Sequence, residues 1–275
     1  MDEARDASYS WLSSIKSYPD FAVAGLANAF RPCVYNLAAT MSADSTHNNR
    51  PRKLIIAIDG PAGAGKSTIA SRLARKLDYV NLESGAMYRA LALQAIENDS
   101  SFEDEAALLK LAEGSRIQLE PTLGGNRTLL DGKDVSARIR ERDVTEAASR
   151  VSVHPKVREW MVEHQRALGA NAGIVMEGRD IGTKVFPDAD LKIFLDADPV
   201  VREQRRREQQ KIKGELAANA AAELRERDHR DRTRAASPLV AASDAVVIDS
   251  SSMSEDDVLA KIEKLVEQKR QQSST

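Results

Sequence analysis

Gly60-Pro61-Ala62-Gly63-Ala64-Gly65-Lys66-Ser67 sets two glycines, a lysine and a serine at the spacing G-x-x-x-x-G-K-[ST]. Glycines at this spacing let successive backbone N–H groups turn inward around a phosphate. A helix beginning near Lys66 adds its own unpaired N–H groups and the positive end of its dipole. The Lys66 ammonium then reaches the β- and γ-phosphates, and the Ser67 hydroxyl coordinates the Mg²⁺ that bridges them. The stretch predicts a nucleoside triphosphate site.

A phosphate loop specifies a nucleotide, not a reaction. Arginines elsewhere point to a second phosphorylated substrate. Arg89 closes Glu83-Ser84-Gly85-Ala86-Met87-Tyr88-Arg89, Arg158 sits on a further helical pattern, and Arg179 opens Arg179-Asp180-Ile181-Gly182-Thr183. More lie in a charge-dense run between about 205 and 234, Arg227 and Arg234 among them. Each alone reads as a surface residue. Gathered at one end of a sheet they suit bidentate clamping of phosphate oxygens. In the charge-dense run, acids offset the basic residues and no aromatic is interleaved, which argues against nucleic acid.

Short β-rich runs alternate with helical patterns from Lys53 onward, as in a parallel sheet covered by helices. Candidate strands are 54–58, 79–82, 174–176, 191–195 and 245–248, and ligands of such sheets sit beyond the strands' carboxyl ends. Asp198-Pro199 reads as an N-cap and first helical residue, and Ser254 with Asp257 as a capping box before a helix carrying Val258, Leu259, Ile262, Leu265 and Val266. Two stretches break the alternation. Residues 115–136, with Gly124-Gly125-Asn126 and Asp131-Gly132, carry a hairpin signal; residues 205–234 read as a mobile arginine-bearing lid that shields the phosphates from water. Residues 1–52 differ in composition and read as a poorly ordered extension, with Asp2, Glu3 and Asp6 of the wrong sign for a transit peptide.

The 275 residues, 42% hydrophobic and 30% charged, are those of an ordinary globular protein, and a net charge of −2 leaves no global basic field. One cysteine, Cys33, excludes an intrachain disulfide and a cysteine-built metal site. No apolar run reaches the roughly 18 residues that a bilayer span needs. The expectation is a soluble, cytoplasmic monomer.

The chain closely resembles the bacterial-type cytidylate kinases. The resemblance rests on Ile58-Asp59-Gly60 through Lys66-Ser67-Thr68, Ser84-Gly85-Ala86-Met87-Tyr88-Arg89, Gly178-Arg179-Asp180-Ile181-Gly182-Thr183 with Val185-Phe186-Pro187-Asp188-Ala189, and Glu226-Arg227-Asp228 through Arg230-Asp231-Arg232 into Pro238-Leu239 and Ala242-Ser243-Asp244-Ala245. It spans residues 54 to 268. It implies an α/β P-loop NTPase fold: a five-stranded parallel sheet with helices on both faces, a monophosphate-binding insert at about 112–150 and a lid at about 205–234, all within a kinase domain of residues 53–275. The activity implied is transfer of the γ-phosphate of ATP to CMP or dCMP with Mg²⁺. By motif position, ATP would be bound by Gly60, Pro61, Ala62, Gly63, Ala64, Gly65, Lys66, Ser67 and Thr68. Ser84, Arg89 and Arg179 would hold the acceptor, Asp180, Ser149 and Arg158 would read the cytosine, and Asp231 would accept from the ribose hydroxyls. Lys66, Arg89, Arg179, Arg227 and Arg234 would stabilise the transferring phosphoryl, with Ser67 on the metal. Glu83 and Glu177 stand where Asp is at least as common in the family, Ser237 stands where Ala is common, and no Walker-B aspartate is evident. Kinases of other small acceptors, such as UMP or shikimate, and a nucleotide-dependent regulatory module are the rival readings.

Overall fold

The computed structural model describes residues 52–122, 125–169, 173–210 and 215–272. The expected extension at 1–52 lies outside them apart from Arg52. In chain order the elements are β1 (Ile55–Asp59), α1 (Lys66–Leu77), β2 (Val80–Glu83), α2 (Ser84–Glu97), α3 (Glu105–Gly114), β3 (Ile117–Thr122), β4 (Gly125–Leu130), β5 (Lys133–Asp134), α4 (Arg142–Val151), α5 (Pro155–Leu168), β6 (Ile174–Gly178), β7 (Leu191–Asp196), α6 (Pro199–Gln210), α7 (Glu215–Thr233), β8 (Val246–Asp249) and α8 (Glu255–Gln272).

Five strands pair in parallel in the order β2-β6-β1-β7-β8. Both faces of the sheet are buried, which is why its strands read as nearly continuous apolar runs. Side chains still alternate. Ile56 and Ile58 of β1 pack with Leu73 of α1 and Ile262 of α8, whereas Ala57 faces Met87 and Leu91 of α2 and Met161 of α5. Each face thus has its own helices and its own core. From β1 the chain runs out to β2, later returns to β6 beside β1, and then continues on β1's other side through β7. The crevice beyond the carboxyl end of β1 is therefore the topological switch point, where such sheets bind ligands.

Both predicted caps form. The Val200 N–H donates to Asp198 Oδ1 at 2.8 Å, and Ser254 and Asp257 exchange hydrogen bonds at the start of α8. The hairpin signal proves to be two turns rather than one. β3 and β4 pair antiparallel, and Asp131-Gly132, both with positive φ (51° and 84°), turn the chain into the short β5. This small sheet is followed by a 3₁₀ turn at Arg138–Arg140 and by α4. The charge-dense run is a helix pair. α7 is tied to α6 by the ion pairs Arg225–Glu203 and Arg202–Asp228, and to α4 by Arg142–Glu223.

Candidate active site

The phosphate loop joins β1 to α1, and its glycines are required for different reasons. Gly60 has φ 149° and passes so close to β7 that a Cβ would lie 2.0 Å from the Leu195 carbonyl oxygen. Gly65 is the N-cap of α1 in the left-handed region (φ 95°), where only a residue without Cβ is unstrained. Lys66 is buried, and its ammonium donates to the Pro61 carbonyl at 2.7 Å, which folds it back over the loop. Burial, with Arg179 next, lowers its pKa to about 7, although Glu177 pulls the other way.

Glu177 is the penultimate residue of β6, the strand beside β1, and accepts from Ser67 Oγ at 2.5 Å. Burial pushes its carboxyl above the usual range, and the charge of Glu83 adds to that. A buried carboxylate on the adjacent strand, touching the phosphate-loop hydroxyl, occupies the place of a Walker-B acid. The sequence did not disclose it, because a lone acid at a strand end has no spacing signature.

Opposite the loop, Arg89 on α2 pairs with Glu83, which Arg140 also reaches at 3.3 Å. Burial opposes ionisation of Glu83, but Arg89 and then Arg140 hold its pKa below the ordinary value. Ser84 donates to the Glu177 carbonyl at 2.8 Å. Beyond β6, Arg179 Nε donates to Asp231 of α7 at 2.8 Å, and Arg234 reaches the other carboxylate oxygen at 3.3 Å. Burial opposes the Asp231 charge, yet Arg179, Arg227 and Arg234 outweigh it and keep the carboxyl below its usual range. Burial and neighbouring Arg179 lower Arg227 to about 10.

Deeper in, Asp180 and Arg158 form an ion pair at 2.5 Å with side chains only 7% and 3% exposed. The Arg158 guanidinium lies 5.4 Å from the Tyr88 ring centroid and donates to the Ser152 carbonyl. Loop, arginines and ion pair all line one cavity of about 380 Å³, within the range of small-molecule sites. A carboxylate–guanidinium pair at the end of a chamber rimmed by arginines offers one acceptor and one donor edge to a planar ring, and cations to its phosphate.

A family model described as cytidylate kinase matches residues 56–268. The chain belongs to the cytidylate kinase family. A cytidylate kinase of Pelotomaculum thermopropionicum is 50% identical over 201 residues, 72% of this chain and 89% of the relative. Those of Aeromonas salmonicida and Enterococcus faecalis are 46% and 45% identical, covering 78% and 79% of this chain and 94% and 97% of the relatives.

Of the residues that the cytidylate kinase resemblance singled out, Ala62, Gly63, Gly65, Lys66, Ser67, Thr68, Ser84, Arg89, Arg158, Arg179, Asp180, Arg227, Asp231 and Arg234 line this cavity. Gly60, Pro61 and Ala64 shape the loop from behind. Ser149 is on α4 with its Oγ buried and without a hydrogen-bond partner, but the wall there is made by Thr145 and Ala148 of that helix and by Ser152 just beyond it. Arg140 from the 3₁₀ turn and Arg206 from α6 also face the cavity. Both lie in arginine-rich stretches where sequence alone does not tell an inward guanidinium from a solvated one. No described helix is long and apolar enough to cross a membrane.

Proposed function

We propose that this cavity transfers the γ-phosphoryl group of Mg·ATP, held by the phosphate loop, to CMP or dCMP held opposite. The reaction of a nucleoside monophosphate kinase follows from membership of the family. The observation that carries the residue roles is the single chamber joining Lys66 and Ser67 to Arg89, Arg179, Asp180 and Arg158. Lys66 binds the β- and γ-phosphates. Arg89 and Arg179 hold the acceptor phosphate, and Arg227 and Arg234, drawn in by α7, neutralise charge that spreads over the transferring group. The acceptor phosphate is already an anionic nucleophile, so no general base is needed. Asp180 accepts from the cytosine N4 amine while Arg158 donates to the ring's acceptor edge. Uracil presents O4 to the same carboxylate, which leaves that group repelled and unpaired. Asp231 accepts from the ribose hydroxyls.

Mg²⁺ fits the donors present. It takes oxygen ligands, and Ser67 with Glu177 supplies a hydroxyl and a carboxylate on adjacent elements. The bound ion would neutralise phosphate charge. Ser67 would hold it through the hydroxyl that now donates to Glu177, and Glu177 would add its carboxylate to that side of the site. Glu177→Gln keeps the volume and removes the charge. It raises the Mg²⁺ concentration for half-maximal rate about tenfold or more, read by titrating Mg²⁺ at fixed ATP; an unchanged midpoint removes Glu177 from the metal site.

We further propose that residues 53–275 form the kinase domain, with the insert at about 112–150 and the lid at about 205–234, working as a cytoplasmic monomer. The test of the reaction is ADP release from Mg·ATP with CMP, dCMP, UMP, AMP and shikimate offered separately. Stimulation confined mainly to CMP and dCMP is expected. Stimulation by another acceptor keeps the kinase and rejects the role of Asp180; stimulation by none favours a regulatory module.

A further inference from the structure

Asp59 ends β1 one residue before the phosphate loop and is 5% exposed. Its carboxylate turns to the acceptor side. Oδ1 accepts from the Ile181 N–H at 2.8 Å and Oδ2 from the Gly182 N–H at 2.7 Å. Those residues open the π-helical turn Ile181–Val185, where first-turn N–H groups have no partner within the turn. Asp180, immediately before them, gives no side-chain cap because its carboxylate is engaged by Arg158. The cap therefore comes from a residue 122 positions upstream. Strand pairing of β1 with β6 ends at Asp59 opposite Gly178, so beyond Gly178 these two hydrogen bonds join the loop to β1. The fit is close: a Cβ at Gly182 would stand 3.2 Å from the Lys192 stem and 3.4 Å from Asp59 Oδ2.

We infer that Asp59 is a positioning residue for the acceptor site, clamping the turn at 181–185 to the phosphate-loop strand so that Arg179 and Asp180 keep a fixed place relative to Lys66 and Ser67. This rests on the acceptor roles given above to Arg179 and Asp180. The clamp needs two acceptor oxygens on one short stem. Asparagine supplies one and turns an NH₂ toward the second N–H, and a protonated Asp59 turns an O–H toward it. The charged groups around Asp59 are Asp180 on the following loop, Lys66 on α1 and the stem of Lys192 on β7. Burial raises its pKa to about 6 against the pull of the two N–H groups, with Asp180 adding and Lys66 opposing. Acidification through about pH 6 thus loosens the clamp in the unsubstituted protein.

The test is Asp59→Asn, with initial rates measured against CMP and against ATP, and ATP affinity measured by calorimetry. The KM for CMP rises about tenfold, ATP affinity holds within about twofold, and the Ile181 and Gly182 amides lose hydrogen-exchange protection selectively. On acidification below pH 6 the unsubstituted enzyme loses CMP affinity more steeply than the variant; the phosphate of CMP titrates alike in both, so the difference belongs to Asp59. An unchanged KM for CMP, or equal losses for CMP and ATP, overturns the inference. Asp180→Ala is measured alongside. If it leaves the KM for CMP unchanged, the acceptor assignment fails and this inference with it; if it raises that KM while Asp59→Asn does not, only the positioning role fails. Should Asp59→Asn not fold, the unsubstituted protein decides, since Ile181 and Gly182 protection that does not fall through about pH 6 overturns the clamp.

Discussion

Lys66→Ala lowers kcat about a thousandfold while the chain stays folded. The ammonium is buried, at the start of α1, and points back over the phosphate loop. Two neighbouring cations are already committed, Arg179 to Asp231 and Arg89 to Glu83. The fold does not depend on this charge. Burial and the nearby Arg179 disfavour the protonated form, and truncation relieves both. The pH dependence has a definite sign. With a folded pKa of about 7 against 10.5 for the free side chain, the unfolded chain binds more protons between those values, so the contribution of Lys66 to stability rises with pH across that window. The melting-temperature difference between Lys66→Ala and the parent therefore shrinks from pH 7 to pH 10. ATP acts in the opposite direction: its phosphates favour the ammonium, so above pH 7 binding takes up a proton and affinity falls as pH rises. Thermal melts across pH and calorimetry in two buffers of different ionisation heat read these effects. Near-normal turnover in Lys66→Ala would remove the phosphate loop from the mechanism.

Asp180→Ala lowers kcat/KM for CMP by about a hundredfold to a thousandfold and lowers that for UMP much less, so the preference between them narrows. The side chain faces a buried guanidinium and a small-molecule cavity together. Removing it withdraws the acceptor that pairs with the cytosine amine and equally the group that repels uracil O4. It also leaves Arg158 without a carboxylate at 3% exposure; breaking a buried pair this way costs about 3–5 kcal/mol of stability. Asp180→Asn separates the two effects, since its amide oxygen still accepts from Arg158 while the negative charge is gone. Acceptor-dependent ADP release with CMP and UMP, together with urea melts, gives both quantities. A ratio of CMP to UMP that stays constant would move base recognition to another residue.

The local chemistry was written in the chain. Gly60 to Ser67 announces a phosphate loop because glycines at that spacing let backbone N–H groups turn around an anion, and the strand and helix beside it are contiguous in sequence. Four of the five sheet strands lie within one residue of their expected positions and β6 runs two residues past its expected end, since burial on both faces demands unbroken apolar runs. The caps at Asp198 and Ser254 are local hydrogen bonds and were readable for the same reason. The arginine motifs reached their roles through resemblance to a family, not through periodicity.

Relations between distant segments were decided only by tertiary structure. The order β2-β6-β1-β7-β8 puts β6 beside β1, and this alone brings Glu177 to Ser67 and Asp59 to Ile181 and Gly182. Neither acid carries a spacing signature, because their partners lie more than a hundred residues away. The same holds for Arg140 and Arg206, which face the cavity from arginine-rich surface stretches, and for Ser149, whose helix turns Thr145 and Ala148 to the wall instead. A sequence determines what each segment can bind when its groups are neighbours in the chain. Which groups meet across the sheet is set by strand pairing and by the two cores that form on its opposite faces.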